Sequence, residues 1–505
     1  MKLAIYQTSD LHGYVYPTNY VKDMPLGILK IGSYILKDEK NYDASFKVDC
    51  GDLIQGSAMA HYLSKKKVED NPIVKGLEAI GYDAYIIGNH EFNYGQEYLY
   101  SSYKNVQDKI INSNIEGLKI DSKPYRIFDF NGFKVGFIGF TTSFIPNWEN
   151  EKNIEGLSFL DPVETYGKYE KELKEQADFI VVCYHGGFEK SLDGTNTPTE
   201  KLTKENQASE LLEKYDSINL VLSGHQHRSF ITEMNGIVCA QPLNNGQNFT
   251  KVIIDTETKE VSYELVDVSK LTDDINEDLE KIFEDVSVEL DKYLNEEIGE
   301  FDKDIIVNDL FEARLNGNPL INFIHQVQIA ASEAEISVLS LFDSTIGFKK
   351  NVSIRDVLIN YPYPNTLKVL KVSGHKLKEA MEKAATYFVV EDGEVKINNG
   401  FLVPKVQNYN YDMFYGVDYE IDLNREFGDR VVSITKNGKA IDLEKEYNVV
   451  LNNYRATNTS IYPAYENAKI VKEVNVDISE LIINYFQENK KIKVDENRNY
   501  IIKQF

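Results

Sequence analysis

KLAIYQTSDLHG, residues 2–13, sets the pattern for the first half of the chain: a β-rich apolar run that breaks into a short motif of potential metal ligands. The pattern then repeats. SFKVDC (45–50) runs into Gly51-Asp52, AYIIG (84–88) into Asn89-His90-Glu91, FIVVCY (179–184) into His185-Gly186, and NLVLS (219–223) into Gly224-His225-Gln226-His227. KVGFIGF (134–140) is a further run of the same kind, and amphipathic helical stretches such as residues 27–39 and 166–177 lie between several of them. Strands alternating with helices predict an α/β sheet with helices on both faces. The pattern closes with residues 236–241 and a hairpin pair, 251–255 and 260–266.

At 505 residues the chain exceeds one ordinary core, so two domains, or three, are expected. Between residues 269 and 304 it becomes highly charged, with Leu and Ile at helical spacing, which predicts a long, solvated linker helix rather than a core element. Beyond it the rhythm changes. Residues 319–334 and 376–387 read as helices, and 335–342, 419–422, 430–435 and 447–451 as strands. The expected organisation is an α/β domain over 1–268, a helical linker over 269–304, and an α+β domain over 305–505, with no internal repeat.

Composition narrows the function. With 42% hydrophobic and 27% charged residues the chain is neither disordered nor fibrous. A formal net charge of -25 opposes binding to a nucleic-acid polymer, which needs a basic footprint. A small phosphorylated metabolite remains compatible if a metal or a local cation neutralises it. Cys50, Cys183 and Cys239 are odd in number and scattered, and read as small buried hydrophobes. No apolar run reaches the roughly 18 residues of a bilayer span, and Met1 leads straight into the first strand with no signal peptide, so the chain as given reads as cytoplasmic and without a membrane partner.

The motifs carry the chemistry. Sites in open α/β sheets collect at the carboxyl ends of strands, so motifs far apart in the chain are expected to converge. Asp10/His12 and His225/His227 are i,i+2 pairs, and on extended backbone both side chains of such a pair point to the same side, toward one ion. Carboxylate, imidazole and amide oxygen together suit Mn, Zn or Fe, whereas an all-oxygen set suits Mg or Ca. Two divalent ions bridged by a carboxylate polarise a phosphoryl group for in-line displacement. A lone histidine is usually structural, and His61, His325 and His375 read so, but five of the eight histidines fall in these motifs. The candidate ligands are Asp10, His12, Asp52, Asn89, His185, His225 and His227.

DLHG, GD, GNHE, H-G and GHQH in this order resemble the calcineurin-like metallophosphoesterases. The resemblance implies Asp10, His12, Asp52 and His227 around one ion, and Asp52, Asn89, His185 and His225 around the other, with Asp52 bridging. His90 matches the family's catalytic histidine, which stabilises phosphoryl charge and protonates the leaving oxygen. The whole chain resembles the bacterial 5′-nucleotidase superfamily, which joins an α/β metallophosphoesterase sandwich to a C-terminal substrate-binding domain. Within it the likeness is to the 2′,3′-cyclic-nucleotide 2′-phosphodiesterase/3′-nucleotidase group. GDLIQGSAMAHY (51–62), GNHEFNYG (88–95), YPYPNTL (361–367), YNYDMFYGVDYEIDL (409–423) and LNNYRA (451–456) carry that likeness.

Four positions bear on substrate. The 5′-nucleotidases place Asp three residues after the catalytic histidine; Asn93 stands here, as in the cyclic-phosphodiesterase group. An amide holds the imidazole without adding charge, while a plain turn role before Gly95 is the competing reading. The 5′-nucleotidases also carry a Gly-Gly-x-Arg segment, and the matching residues 341–350 (LFDSTIGFKK) have no Arg. Tyr363 and Tyr454 match the family's base-stacking aromatics, with core packing as the alternative for either, and Asn452 and Asn453 are candidate polar contacts. Finally, Thr457-Asn458-Thr459-Ser460 replaces a glycine-rich turn, which reshapes the ribose or base side of the pocket. The expected function is hydrolysis of nucleoside 2′,3′-cyclic phosphates and 3′-nucleotides. The alternatives are a 5′-nucleotidase or nucleotide-sugar hydrolase of the same fold, and an inactive metal- or nucleotide-binding module.

Overall fold

The computed structural model describes residues 1–505 except 21, 67, 194, 200, 201, 235, 364, 404, 405, 458, 475 and 505. Pro364 of YPYPNTL and Asn458 of the Thr457–Ser460 run therefore lie outside the described residues. The chain forms two compact units, Met1–Asp291 and Lys292–Phe505.

The strands that shape the first unit are β1 (Lys2–Thr8), β2 (Ala44–Asp49), β3 (Ala84–Tyr85), β4 (Tyr125–Phe130), β5 (Phe133–Thr141), β6 (Phe179–His185), β7 (Leu220–Ser223), β8 (Phe230–Met234), β9 (Ile237–Gln241), β10 (Asn248–Asp255) and β11 (Val261–Asp267). They make two sheets, ordered β11-β10-β1-β2-β3 and β8-β9-β7-β6-β5-β4. β1, β2 and β3 run parallel, as do β5, β6, β7 and β9. Antiparallel pairs close the β11 edge of the first sheet and both edges of the second.

Side-chain alternation builds the layers. Val181 and Cys183 of β6 lie in one apolar cluster with Leu3, Ile5, Phe46 and Val48 of the other sheet. Ile180, Val182 and Tyr184 face the opposite way and pack with Val163, Tyr166 and Leu211 from the helices Pro162–Gln176 and Ala208–Lys214. A strand buried on both faces reads as a continuous apolar run, which is why FIVVCY shows no polar alternation. Each aliphatic side chain so buried contributes about 1.5–3 kcal/mol. Helix Pro72–Ile80 is framed by an Asn71 cap, Pro72 in the first turn and a left-handed Gly81. All three cysteines are free and buried, as small apolar residues.

Residues 269–304 depart from one long solvated helix. They form two short helices, Glu277–Lys281 and Glu284–Leu294, and enter the strand Glu297–Phe301. Leu279 and Phe283 are fully buried in the first unit, where Gly32 and Gly76 leave no room for a Cβ against them. The apolar spacing in this acidic stretch is a docking stripe, with the charges on its outer face. The division between the units falls inside the second helix, between Asp291 and Lys292.

The second unit is α+β. Its largest sheet is mixed and runs Met413–Tyr415, Ile336–Leu339, Glu446–Asn452, Leu367–Ser373, Lys469–Val474. Helix Pro319–Ser332 packs on it, and helix Ile478–Asn489 packs against that helix and the strand Glu297–Phe301. His325 is buried with Nδ1 2.8 Å from Ser337 Oγ, His375 pairs with Glu444 at 3.0 Å on the surface, and His61 is buried in helix Ala58–Lys66. None of the three joins a metal-ligating group among the described residues. No helix among the described residues is long and apolar enough to cross a membrane.

Candidate metal centre

The ligand-bearing loops all leave the carboxyl ends of parallel strands. Asp10 and His12 follow β1, Asp52 follows β2, Asn89 follows β3, His185 ends β6, and His225 and His227 follow β7. Backbone bonds weld these loops together: Asp10 N–H donates to Gly51 O and His12 N–H to Asp52 O, both at 2.8 Å. Gly51 has φ +95°, and a Cβ there would lie 2.6 Å from Gly88 N and 2.8 Å from His185 Nδ1, so only glycine lets the β2 and β3 loops meet. The buried Glu91 carboxylate clips the same junction, accepting from Gly88 N at 2.7 Å, Asp52 N at 2.9 Å and Leu53 N at 2.6 Å.

Five of the seven candidate ligands, Asp10, His12, Asp52, His225 and His227, have positive φ, between 49° and 74°. Such backbone is costly for residues with a Cβ, about 1–3 kcal/mol each, and clusters at functional sites. It also corrects the reason given by spacing. The i,i+2 pairs do not act from extended backbone, and His225 and His227 do not reach one ion together; each enters a different group.

One group is Asp10, His12 and His227. His12 Nε2 lies 3.2 Å from His227 Nε2, which lies 3.3 Å from Asp10 Oδ1. The other is Asp52, His185 and His225. Asp52 Oδ2 is 3.2 Å from His185 Nε2, and Asn89 Oδ1 sits between His185 Nε2 at 3.0 Å and His225 Nδ1 at 2.8 Å. The described geometry thus brings all seven predicted residues into two adjoining sets.

The donors fit divalent cations. His12 Nδ1 lies 2.9 Å from Gln55 O and His185 Nδ1 2.7 Å from Cys50 O, so each Nδ1 carries a proton and each Nε2 turns inward. Burial and the neighbouring His227 push the His12 imidazole down to about 4, which keeps it a neutral ligand. Burial opposes charge on His185, yet the Asp52 carboxylate holds that imidazole up at about 10. A divalent cation between them would take the place of that proton. The mixture of nitrogen and oxygen donors suits Mn, Zn or Fe.

Three supporting residues escaped the sequence reading. His225 offers Nδ1 inward and holds Glu205 Oε1 with Nε2 at 3.1 Å, a carboxylate–imidazole pair. Trp148, the only tryptophan, stacks on His225 with ring centroids 5.4 Å apart. Glu149 receives a hydrogen bond from Asn93. Glu205, Trp148 and Glu149 lie outside every motif, and no local pattern marks them. Glu91 stands inside GNHE and was legible as part of it, though not its clipping role. Glu205→Gln is expected to weaken metal binding about 10–100-fold while leaving the fold intact. Competitive chelator titration reads this, and an unchanged affinity would remove Glu205 from the centre's support.

His90 sits at the edge of both sets. Its Nδ1 is 2.6 Å from Asn93 Oδ1 and its Nε2 3.9 Å from Asp52 Oδ2, with the ring a quarter exposed. Asn93 is therefore the partner of the histidine rather than only a turn residue.

In the second unit Tyr363 is 40% exposed, with its ring 4.9 Å from that of Phe342. Tyr454 is half-buried in helix Asn453–Thr457. The loop and the helix are tied together: Asn453 N donates to Thr366 O at 2.9 Å, and Thr366 N donates to Asn453 Oδ1 at 3.0 Å. This pair gives Asn453 a structural task beside the polar contact read from sequence. The 341–350 loop has no Arg of its own, but buried Arg314, from helix Leu310–Asn316, reaches Leu341 O at 3.1 Å and Asp343 Oδ1 at 2.9 Å. Arg455 of LNNYRA is buried on Asp412 at 2.9 Å.

Comparison with known proteins agrees with this geometry. Residues 3–229 match the family model for calcineurin-like phosphoesterases, and residues 297–467 that for the 5′-nucleotidase C-terminal domain. A 2′,3′-cyclic-nucleotide 2′-phosphodiesterase/3′-nucleotidase of Haemophilus influenzae is 27% identical over 98% of this chain and 86% of its own length. The trifunctional nucleotide phosphoesterase YfkN of Bacillus subtilis is 26% identical over 99% of this chain, which spans only 39% of that protein. Among solved structures, a putative 5′-nucleotidase from Staphylococcus aureus in complex with alpha-ketoglutarate is 37% identical, covers 100% of both chains and superposes with a TM-score of 0.90. The chain belongs to the calcineurin-like phosphoesterases that carry a 5′-nucleotidase C-terminal domain, and it is a metal-dependent phosphoesterase.

Proposed function

We propose that this phosphoesterase opens nucleoside 2′,3′-cyclic phosphates at the 2′-oxygen and then removes the 3′-phosphate. The observation that carries the choice of ester is Asn93: its amide oxygen, not a carboxylate, lies 2.6 Å from His90 Nδ1. Asn at this position is the pattern of the cyclic-phosphodiesterase group, to which the Haemophilus relative belongs by name.

The residues divide the work between binding the ions, moving the proton and holding the base. Asp10, His12, Asp52 and His227 would hold one divalent ion, and Asp52, Asn89, His185 and His225 the other. When bound, the two ions supply the charge that polarises the phosphoryl group and favours an oxygen nucleophile. His90 Nε2 stabilises the phosphoryl oxygens and carries the proton for the leaving oxygen. Tyr363 and Tyr454 stack on the base, which gives affinity with little base discrimination.

The deciding assay offers metal-reconstituted protein 2′,3′-cyclic AMP, 3′-AMP, 5′-AMP and a nucleotide sugar, with a chelator control. Preference for the cyclic and 3′ esters supports the proposal. Preference for 5′-AMP would favour the second reading, a 5′-nucleotidase, which the likeness to the putative Staphylococcus aureus 5′-nucleotidase keeps in play. Metal binding without turnover of any ester would leave only a binding module.

Tyr363→Ala is expected to raise KM for nucleotides about 5–150-fold, the worth of one stacked base at about 1–3 kcal/mol. Hydrolysis of a small aryl phosphodiester should be spared. Equal losses on both substrates would make Tyr363 a structural residue.

A further inference from the structure

Residues 144–153, beyond β5, bring Trp148 onto His225 and Glu149 onto Asn93. Glu149 Oε2 accepts from Asn93 Nδ2 at 2.6 Å. Its Oε1 accepts from Asn150 N at 2.7 Å and Asn153 Nδ2 at 2.8 Å, and Asn153 Nδ2 also donates to Asn93 O at 3.1 Å. These three partners of Glu149 are all donors, which suits a carboxylate that can only accept.

An acceptor-only partner permits one orientation of the Asn93 amide. Its NH2 must face Glu149, so its oxygen faces His90. At 2.6 Å that oxygen accepts a hydrogen bond from Nδ1–H whether His90 is charged or neutral. The nitrogen that gains and loses a proton is then Nε2, which lies 3.9 Å from Asp52 Oδ2. We propose that Glu149 is a positioning residue that, through Asn93, fixes the nitrogen from which His90 delivers its proton.

This rests on His90 being the proton donor. In that step hydroxide, formed from water that has given one proton to solvent, makes a new bond to phosphorus and the bond from phosphorus to the leaving oxygen breaks. The electron pair stays on that oxygen, which takes the Nε2 proton. His90 is left neutral, with its remaining proton on Nδ1. Glutamine at 149 can donate as well as accept, so Asn93 is free to turn and offer NH2 to Nδ1. The neutral ring would then hold its proton on Nε2, and losing it would leave an imidazolate.

The test compares Glu149→Gln and His90→Ala on two substrates: a nucleotide the wild type turns over, and bis(p-nitrophenyl) phosphate, whose phenolate departs without a proton. For Glu149→Gln, kcat on the nucleotide is expected to fall about 10–100-fold and on the aryl diester less than about threefold, with KM and bound metal unchanged. Asn93→Asp combined with Glu149→Gln restores a fixed acceptor beside Nδ1 and is expected to recover most of the lost kcat. Asn93→Asp alone sets two carboxylates against each other and is expected to lower kcat on the nucleotide. In zinc-loaded protein, ¹⁵N shifts should report Nδ1–H in the wild type and a mixture of tautomers in Glu149→Gln.

If His90→Ala shows the leaving-group split while Glu149→Gln is unaffected, loses equally on both substrates, or is not rescued by Asn93→Asp, the proposal is overturned and His90 keeps its role. If His90→Ala itself loses equally on both substrates, the proton-donor reading falls, and the positioning role with it.

Discussion

Asp52→Ala is expected to lower kcat/KM by at least about 10³-fold, the order lost when a main electrostatic element of a site is removed. Asp52 is fully buried, yet three groups of the centre depend on it. Its Oδ1 accepts from His90 N at 2.8 Å, its Oδ2 lies 3.2 Å from His185 Nε2, and its backbone oxygen takes His12 N at 2.8 Å. Burial works against charge on this side chain, but His185 and His90 hold the carboxyl well below the usual carboxylate range. Its removal would take away the ligand proposed to bridge the two ions, so metal content should fall with activity. Turnover near wild type with both metals bound would refute the assignment.

His90→Ala is expected to lower kcat by about 10²–10⁴-fold, the range of a positioned general acid. The contrast with Asp52 is the useful part. His90 belongs to neither ligand group, so the variant should keep its metals while losing turnover. Metal analysis alongside steady-state kinetics checks both halves. Loss of metal from His90→Ala would make the residue a support of the centre rather than a participant in proton transfer.

The fold's first half was legible because five of its strands, β1, β2, β3, β6 and β7, are apolar runs that each lead into a motif. FIVVCY cannot sit on a surface, and the His185-Gly186 pair directly after it falls at the strand end that faces the site. The seven ligands were legible for the same reason. The manner of their convergence was not. Left-handed backbone at Asp10, His12, Asp52, His225 and His227 is imposed by the welded loops, and nothing in the residues' own preferences announces it. Leu279 and Phe283 were lost among the acidic residues around them, because a two-residue docking stripe is too short to outweigh a charged surface in a periodicity count. Glu205, Trp148 and Glu149 were out of reach for a different reason. Each is a single residue whose partner lies 20 to 77 positions away, reached only through tertiary structure. In the second unit, Arg314 supplies beneath the 341–350 loop a guanidinium that the loop's own residues lack. A linear comparison of that loop could only record the absence.

The claim on which the rest depends is that two divalent ions share one bridging carboxylate. Anomalous diffraction from crystals grown or soaked with Mn²⁺ tests it directly. Two peaks are expected about 3.5–4 Å apart, one contacted by Asp10, His12 and His227, the other by Asn89, His185 and His225, with Asp52 touching both. A single peak, or peaks away from these seven residues, would contradict it.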